Sequence, residues 1–473
     1  MTTPLKLDID EAIERLGMGR FQRRLLLAAG LCIAADTIEV LLLSFLTLVV
    51  TKEWDLNHQQ ASAVTSVVFI GALIGTLVLG PLGDALGRKP LFVFSTTLIA
   101  VCGMLTALST TYWIMMIFQF GVGIGVGGVV IPFDAIAEFI PNEQRGTQLL
   151  ILGYFWTLGT MAVPILAWLG LKEESSWRLF VVLCSIPCVI STFLTIVFVP
   201  ESPRWLLTQG KHDQALEILR TAAATNQLDP TETFPEGVTL IDKHEADTEV
   251  ASVFTLLKPE WRKMTILLWS TWIGLAFLYW GTIQVVTLVF VDESQLKNGD
   301  VLTFDYGAIF SSSCAEIVGQ TLVILLIHRA GRTKITSLMY LLGGICVFGL
   351  CWAASDITTP RSVLVVLAFF ARCFAMGASS MTWIVTAELL PTQIRTTGHS
   401  AANGVARLGG AISPFLVSPA NPIGLIGLVM GVVSILTSVV AWNLPETAGA
   451  AIGTAGKREL DPDGKPIQVS EIV

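Results

Sequence analysis

Charge is scarce in this sequence: 14% of its 473 residues are Asp, Glu, Lys or Arg, while 53% are apolar, against about 25% charged in an average soluble domain. The shortage excludes an ordinary soluble protein, because the apolar residues fall in runs of about 20 or more, the length that crosses a bilayer core. Histidine is scarce too. His58, His212 and His244 stand in loops, and no His/Cys/Asp spacing suits a metal ion. No CxxC pair occurs, and Cys32, Cys102, Cys184, Cys188, Cys314, Cys346, Cys351 and Cys373 all lie in apolar runs. They read as small hydrophobes, not as a disulfide framework. No loop holds a nucleophile with a base or a phosphate-binding loop, so neither an enzyme nor an ATP-driven pump is expected, and no cofactor. The net charge of −8 offers little to nucleic acid. The N-terminal MTTPLKLDID lacks the basic-then-apolar order of a cleaved signal, so the first run is expected to be a span.

What is present is twelve apolar runs, at about 25–50, 61–81, 91–109, 112–140, 146–170, 177–199, 263–291, 306–328, 335–354, 361–389, 395–420 and 422–444. One long polar break, 200–262, divides them six and six. It carries PESPRWLL and then KHDQALEILRTAAA, whose apolar spacing predicts a short amphipathic helix. The expected fold is an all-α membrane protein of twelve transmembrane helices in two six-helix halves, 25–199 and 263–444, with an N-terminal segment 1–24 and a tail 445–473. Assigning alternate loops to one side puts 22 of the 29 Lys and Arg with the termini and the long loop, and 5 opposite. The positive-inside rule then places both termini and the central loop in the cytoplasm.

The halves repeat. Ala137-Glu138, Pro141 and Arg145 recur as Ala387-Glu388, Pro391 and Arg395 at an offset of 250; Pro200-Glu201-Ser202 recurs as Pro445-Glu446-Thr447 at 245; Gly87-Arg88 recurs as Gly331-Arg332 at 244. Three near-equal offsets point to duplication, with a substrate site expected at the interface of the halves near mid-membrane.

The run Gly83-Asp84-Ala85-Leu86-Gly87-Arg88-Lys89 resembles the loop signature between spans two and three of the major facilitator superfamily. PESPRWL (Pro200 to Leu206) and LPET (Leu444 to Thr447) resemble its sugar-porter and organic-ion branches. The run Ala137 to Thr160, with Asp36, Glu39 and Arg372, is most similar to transporters related to synaptic vesicle proteins and to bacterial nicotinate or aromatic-acid carriers. The resemblance implies alternating access by rocking of two halves. It also implies that Asp84, Arg88, Lys89, Glu138, Arg145, Glu201, Arg204, Glu388, Arg395 and Glu446 pair across the halves to hold a cytoplasmic gate shut, a network that matters only as a whole because single exposed pairs contribute about 0–1 kcal/mol. Three departures stand out. Gln119 occupies the position where an Arg commonly precedes the Gly-rich run of span four, His328-Arg329 replace the acid in the second-half loop, and span seven has one Gln284 in place of paired glutamines. A hexose is therefore a weaker expectation than an organic ion.

The intramembrane polar residues are the candidate cavity. Asp36 and Glu39, three apart, suit a proton or substrate-charge site, or a hydrated interfacial position. Arg372 is either the grip on an anionic substrate, through its planar fork, or one half of an ion pair with Glu316 or Asp134. Glu316 and Gln320, four apart like Asp134 and Glu138, either line the cavity or link helices. Trp269, Trp272, Trp280, Gln284 and Thr287 fall within about a 120° arc at 100° per residue, a face for a flat ligand or a lipid-facing surface. Arg407, with Asn403 and His399, is read as gate partner or cavity lining. The Gly121 to Gly128 cluster is read as close helix packing rather than a nucleotide loop. Together these residues point to a secondary active transporter, a multi-pass protein of the plasma membrane working as a proton-coupled symporter of a small organic ion, most readily an aromatic or other carboxylate. Organic-cation and sugar carriers are the alternatives within that class, and a transporter-like receptor without net transport is the alternative outside it. Protons and the lipid bilayer are the other partners; a monomer suffices.

Overall fold

The computed structural model describes residues 6–128, 130–171, 177–235, 237–241, 253–292, 302–327, 329–390 and 392–447. In hydrocarbon every backbone N–H and C=O must be bonded within its own segment, which leaves a long apolar run only the helix. Twelve spans result among the described residues. The first six are Arg20–Leu41 with Leu43–Glu53, His58–Leu86, Arg88–Thr106, Tyr112–Val126 with Val130–Ala137, Asn142–Leu171, and Trp177–Phe198. The second six are Pro259–Leu275 with Ala276–Trp280 and Gly281–Val289, then Tyr306–Leu326, Arg332–Ala354, Arg361–Leu389, Thr392–Leu416 and Ile423–Trp442. Starts are marked by local chemistry. Asn57 and Gln60 form a reciprocal capping box at span two, with bonds of 2.9 and 3.1 Å, and Asp305 accepts from Ala308 N at 3.0 Å at span eight.

Span four is interrupted where one helix was expected, and the break falls at Gly127 and Gly128. Its glycines stand against neighbouring backbones: a Cβ on Gly123 would meet the carbonyl of Val68, and one on Gly127 would meet Ala72 and Thr76 of span two. Close packing, not ligand binding, explains that cluster. Span seven holds a π-turn at Ala276–Trp280, an insertion that the 100° spacing rule does not anticipate.

The N-terminal segment and the central loop form a small body of their own. Strand β1 (Lys6–Asp8) pairs in parallel with β2 (Thr239–Ile241). Helix α1 (Ile9–Leu16) buries Ile9, Ala12, Ile13 and Leu16 in one apolar cluster with Ala215, Leu219, Ala222 and Ala223. Those four belong to α2 (His212–Thr225), the amphipathic helix expected from the sequence. Asn226 ties this body to span one, accepting from Phe21 N at 2.8 Å and donating to Leu16 O at 3.2 Å and Gln22 Oε1 at 2.9 Å.

Candidate functional site

At the central-loop end, the three repeated motifs assemble into the same clamp in each half. Glu201 accepts from the backbone N–H groups of Arg88 (2.8 Å) and Lys89 (3.2 Å), so it caps span three. Glu446 caps span nine through Arg332 N (2.7 Å) and Thr333 N (3.3 Å). Arg88 reaches Glu138 at 3.7 Å and Arg332 reaches Glu388 at 3.3 Å; Ser202 donates to Glu138 and Thr447 to Glu388. A carboxylate at a helix N-terminus satisfies orphan donors and meets the positive end of the helix dipole. Each capping Glu passes where a Cβ of the preceding glycine would lie, Glu201 at Gly87 and Glu446 at Gly331, which accounts for both glycines. Arg204 pairs with Asp10 of α1. These bonds of the expected gate run within a half. The side chains of Asp84, Arg145 and Arg395, and that of Asp134 in the expected cavity, lie outside the described residues.

At mid-membrane the halves meet around Glu316, fully buried on span eight. Its Oε1 accepts from Arg372 Nη2 at 2.6 Å and Nε at 3.2 Å; its Oε2 accepts from Tyr279 Oη at 3.1 Å and from Thr160 Oγ1 of span five at 3.0 Å. Trp156 of span five donates to Tyr279 Oη at 2.6 Å. Gln320 accepts from Ser380 and faces Gly153 of span five. Arg372 therefore takes the ion-pair position of its two expected roles. The π-turn carries Tyr279 and Trp280 as neighbours; Trp280 packs edge-on against Trp156 and Phe69, with centroids at 5.7 and 5.4 Å.

The remaining candidates separate. Glu39 turns into its own half, where Oε1 accepts from Ser185 at 2.9 Å. Asp36, 4% exposed, has no hydrogen bond or ion pair among the described residues, yet lies within Coulombic reach of buried Arg407 of the opposite half. Trp269 is half-buried. Trp272 belongs to the core of the second half, donating to Thr386 at 2.9 Å and packing on Trp383 at 5.0 Å. Trp272 and Trp280 thus part company, because the π-turn breaks the arc that regular spacing draws. Gln284 lines a pocket of about 300 Å³ at the end away from the central loop, with Ser44, Thr47, His58 and Ser418. Cross-half bonds seal that end: His58 Nδ1 to Ser418 Oγ at 2.8 Å, Ser62 to Pro414 O at 3.0 Å, Ser66 to Ala411 O at 2.7 Å and Thr287 Oγ1 to Ser44 Oγ at 3.1 Å.

Residues 36–454 match the family model described as sugar (and other) transporter. The chain belongs to that transporter family, within the major facilitator superfamily. This transporter is 30% identical over 472 residues to the putative transporter svop-1 of Caenorhabditis elegans, covering 96% of this chain and 86% of the relative. It is 31% identical to organic cation/carnitine transporter 7 of Arabidopsis thaliana, covering 87% and 88%, and 29% identical to the synaptic vesicle 2-related protein of Rattus norvegicus, covering 95% and 83%. Its fold is similar to that of the xylose transporter XylE from E. coli in a partially occluded inward-open conformation, with a TM-score of 0.72 at 19% identity over 91% and 99% of the two chains. The transporter's central residues that the sequence did not single out are Trp156, Thr160 and Tyr279. Thr160 closes the run quoted for the resemblance; Tyr279 adjoins Trp280 and gave no separate signal.

Proposed function

We propose that this transporter is a secondary active carrier of a small organic carboxylate, run as a proton symport by alternating access of its two halves, with both termini and the central loop cytoplasmic. The observation that carries the reading is the placement of Asp36 opposite Arg407, a buried acid and a buried base on opposite halves with no bond between them. An arginine held in that way suits an anion, and an acid beside it suits a proton. Rocking of the halves changes the distance between the two groups, so substrate and proton bias the same two-state equilibrium. The supporting cast is the cross-half centre of Glu316, Tyr279, Thr160 and Trp156 and the sealed end away from the central loop.

An organic cation is the second reading, favoured by Glu39 Oε2, a buried oxygen with no hydrogen-bond partner among the described residues, and by the name of the plant relative. Uptake into proteoliposomes separates these. Radiolabelled benzoate is expected to accumulate faster than in protein-free vesicles when the lumen is made alkaline, with tetraethylammonium and glucose unaffected. Accumulation of tetraethylammonium alone supports the cation reading; ligand binding without accumulation of any probe supports a receptor.

A further inference from the structure

Just before span seven the chain forms a short 3-10 turn, Val253–Leu257. One residue anchors it. Leu256 is buried and lies, with Leu390 from the end of span ten, against Gly398 of span eleven; its carbonyl accepts from Thr265 Oγ1 at 2.9 Å. Lys258 N donates to Thr255 O at 3.2 Å, and Lys258 O accepts from Trp261 N at 3.0 Å and Arg262 N at 2.8 Å, so the turn runs unbroken into the span. This well-bonded turn nevertheless exposes Val253, Leu257 and, at 80%, Phe254. Apolar side chains grouped in this way at the edge of a membrane span mark a surface that is met by something apolar.

Exposed cations follow at once. Lys258, Arg262 and Lys263 are all exposed, and between 253 and 275 Glu260 is the sole acid. At 100° per residue Arg262, Ile266, Trp269 and Ile273 fall within about 60° of arc, and Ile266 and Ile273 are exposed along that line. The face therefore presents positive charge at the membrane boundary and apolar surface down the span. That order matches one class of molecule, an anionic head on hydrocarbon chains. The first half supplies an internal comparison. Arg23-Arg24 stands exposed in the first turn of span one, at an offset of 239 from Arg262-Lys263. There the preceding apolar residues, Ile13, Leu16 and Phe21, are buried in the body that α1 forms with α2. The basic pair is present in both halves; the exposed apolar turn belongs to the second.

We propose that this turn and the start of span seven form a docking site for an acidic phospholipid of the adjoining leaflet. Lys258, Arg262 and Lys263 hold the phosphate, an acyl chain lies along Ile266 and Ile273, and Phe254 enters the boundary between headgroups and chains. Basic side chains next to a span attract acidic headgroups, and an apolar side chain buried at the interface adds binding that salt does not screen. Leu256 ties the turn to the joint between spans ten and eleven, so a lipid held here braces the second half. The site is independent of which substrate the transporter carries.

The test uses the full-length transporter in detergent, titrated with palmitoyl-oleoyl phosphatidylglycerol, with the phosphatidylcholine of the same chains as control. Native mass spectrometry counts retained lipids, and thermal unfolding reads the bracing. Phosphatidylglycerol is expected to be retained and to raise Tm where phosphatidylcholine does neither. Lys258→Gln/Arg262→Gln/Lys263→Gln should weaken phosphatidylglycerol at least fivefold, and Phe254→Ser, which leaves every charge in place, about threefold. Arg23→Gln/Arg24→Gln should change the affinity less than twofold. Native affinity in the triple variant overturns the site. Equal losses in the triple variant and in Arg23→Gln/Arg24→Gln overturn it as well, because charge anywhere on the surface would then suffice. Stabilisation by sn-glycerol 3-phosphate equal to that by the intact lipid would assign the cations to a soluble anion and overturn the membrane docking.

Discussion

Arg372 donates two hydrogen bonds to one oxygen of Glu316, at 2.6 and 3.2 Å, and both side chains are buried. The other oxygen is taken by Tyr279 and by Thr160 of the opposite half. The carboxylate is saturated and the guanidinium is anchored. Removing one partner of such a pair strands a buried charge, at a cost of about 3–5 kcal/mol. Arg372→Gln and Glu316→Gln are each expected to lower the apparent Tm sharply, whereas the double variant loses clearly less than the sum of the two, since no lone charge remains. Thermal unfolding of the four proteins closes this cycle. Additive losses would mean that the two residues act independently.

The capping glutamates give a second prediction. Gly87 has φ +109° and Gly331 has φ −60°. A Cβ at either position meets the carboxyl of the capping Glu, but only at Gly87 does it also meet a backbone conformation that L-residues avoid. Gly87→Ala is therefore expected to destabilise more than Gly331→Ala, by about 1–2 kcal/mol. Combining Gly331→Ala with Glu446→Ala should cost less than the two changes added together, because the alanine then has nothing to displace. Equal Tm losses for the two glycine variants would refute the conformational part of the argument.

The clamp also shows what a linear sequence conveys. Three offsets near 245–250 were legible because duplicated residues stay recognisable when a backbone contact constrains them: Gly for close approach, Glu for the cap, Arg for the acid on the next span. The twelve spans were legible because bilayer thickness sets their length. The partners of intramembrane charges were not. Arg372 could pair with Glu316 or Asp134 as far as spacing went, since each half offers an acid inside a span, and only packing chooses. The arc of tryptophans on span seven assumed uniform helical geometry; one inserted π-turn sent Trp272 into the core of its own half and Trp280 to the interface. Strand β1 escaped notice because three residues carry no periodicity to read.

Asp305 caps span eight and takes two bonds from Arg361, one of them Nη2 at 2.8 Å. The Arg361 guanidinium holds its carboxyl below the usual carboxylate range. A carboxyl depressed on folding adds stability above its unfolded value of about 3.9, and that contribution is lost as pH falls through the lower folded value. Arg361 is 66% exposed, so the pair itself adds at most about 1 kcal/mol. Asp305→Asn should lower Tm modestly at pH 7, with the gap to the native protein closing as pH drops below about 4. A gap that persists at low pH would assign the effect to the cap alone.

Alternating access requires the sealed end to part, and the Ser44 to Thr287 contact spans the two halves there at 3.1 Å between hydroxyls. Cysteines in these two positions place sulfurs where a bridge needs little backbone movement, while the native cysteines are all reduced and lie within the spans. In proteoliposomes, Ser44→Cys/Thr287→Cys should lose uptake when oxidised and regain it on reduction, and each single variant should transport through both treatments. The bridge ties spans one and seven, so it holds together the same surfaces that the His58, Ser62 and Ser66 contacts join. Full transport by a protein shown on gels to be cross-linked would mean that the halves need not separate at this end, and rocking of the two halves as the transport motion would have to be abandoned.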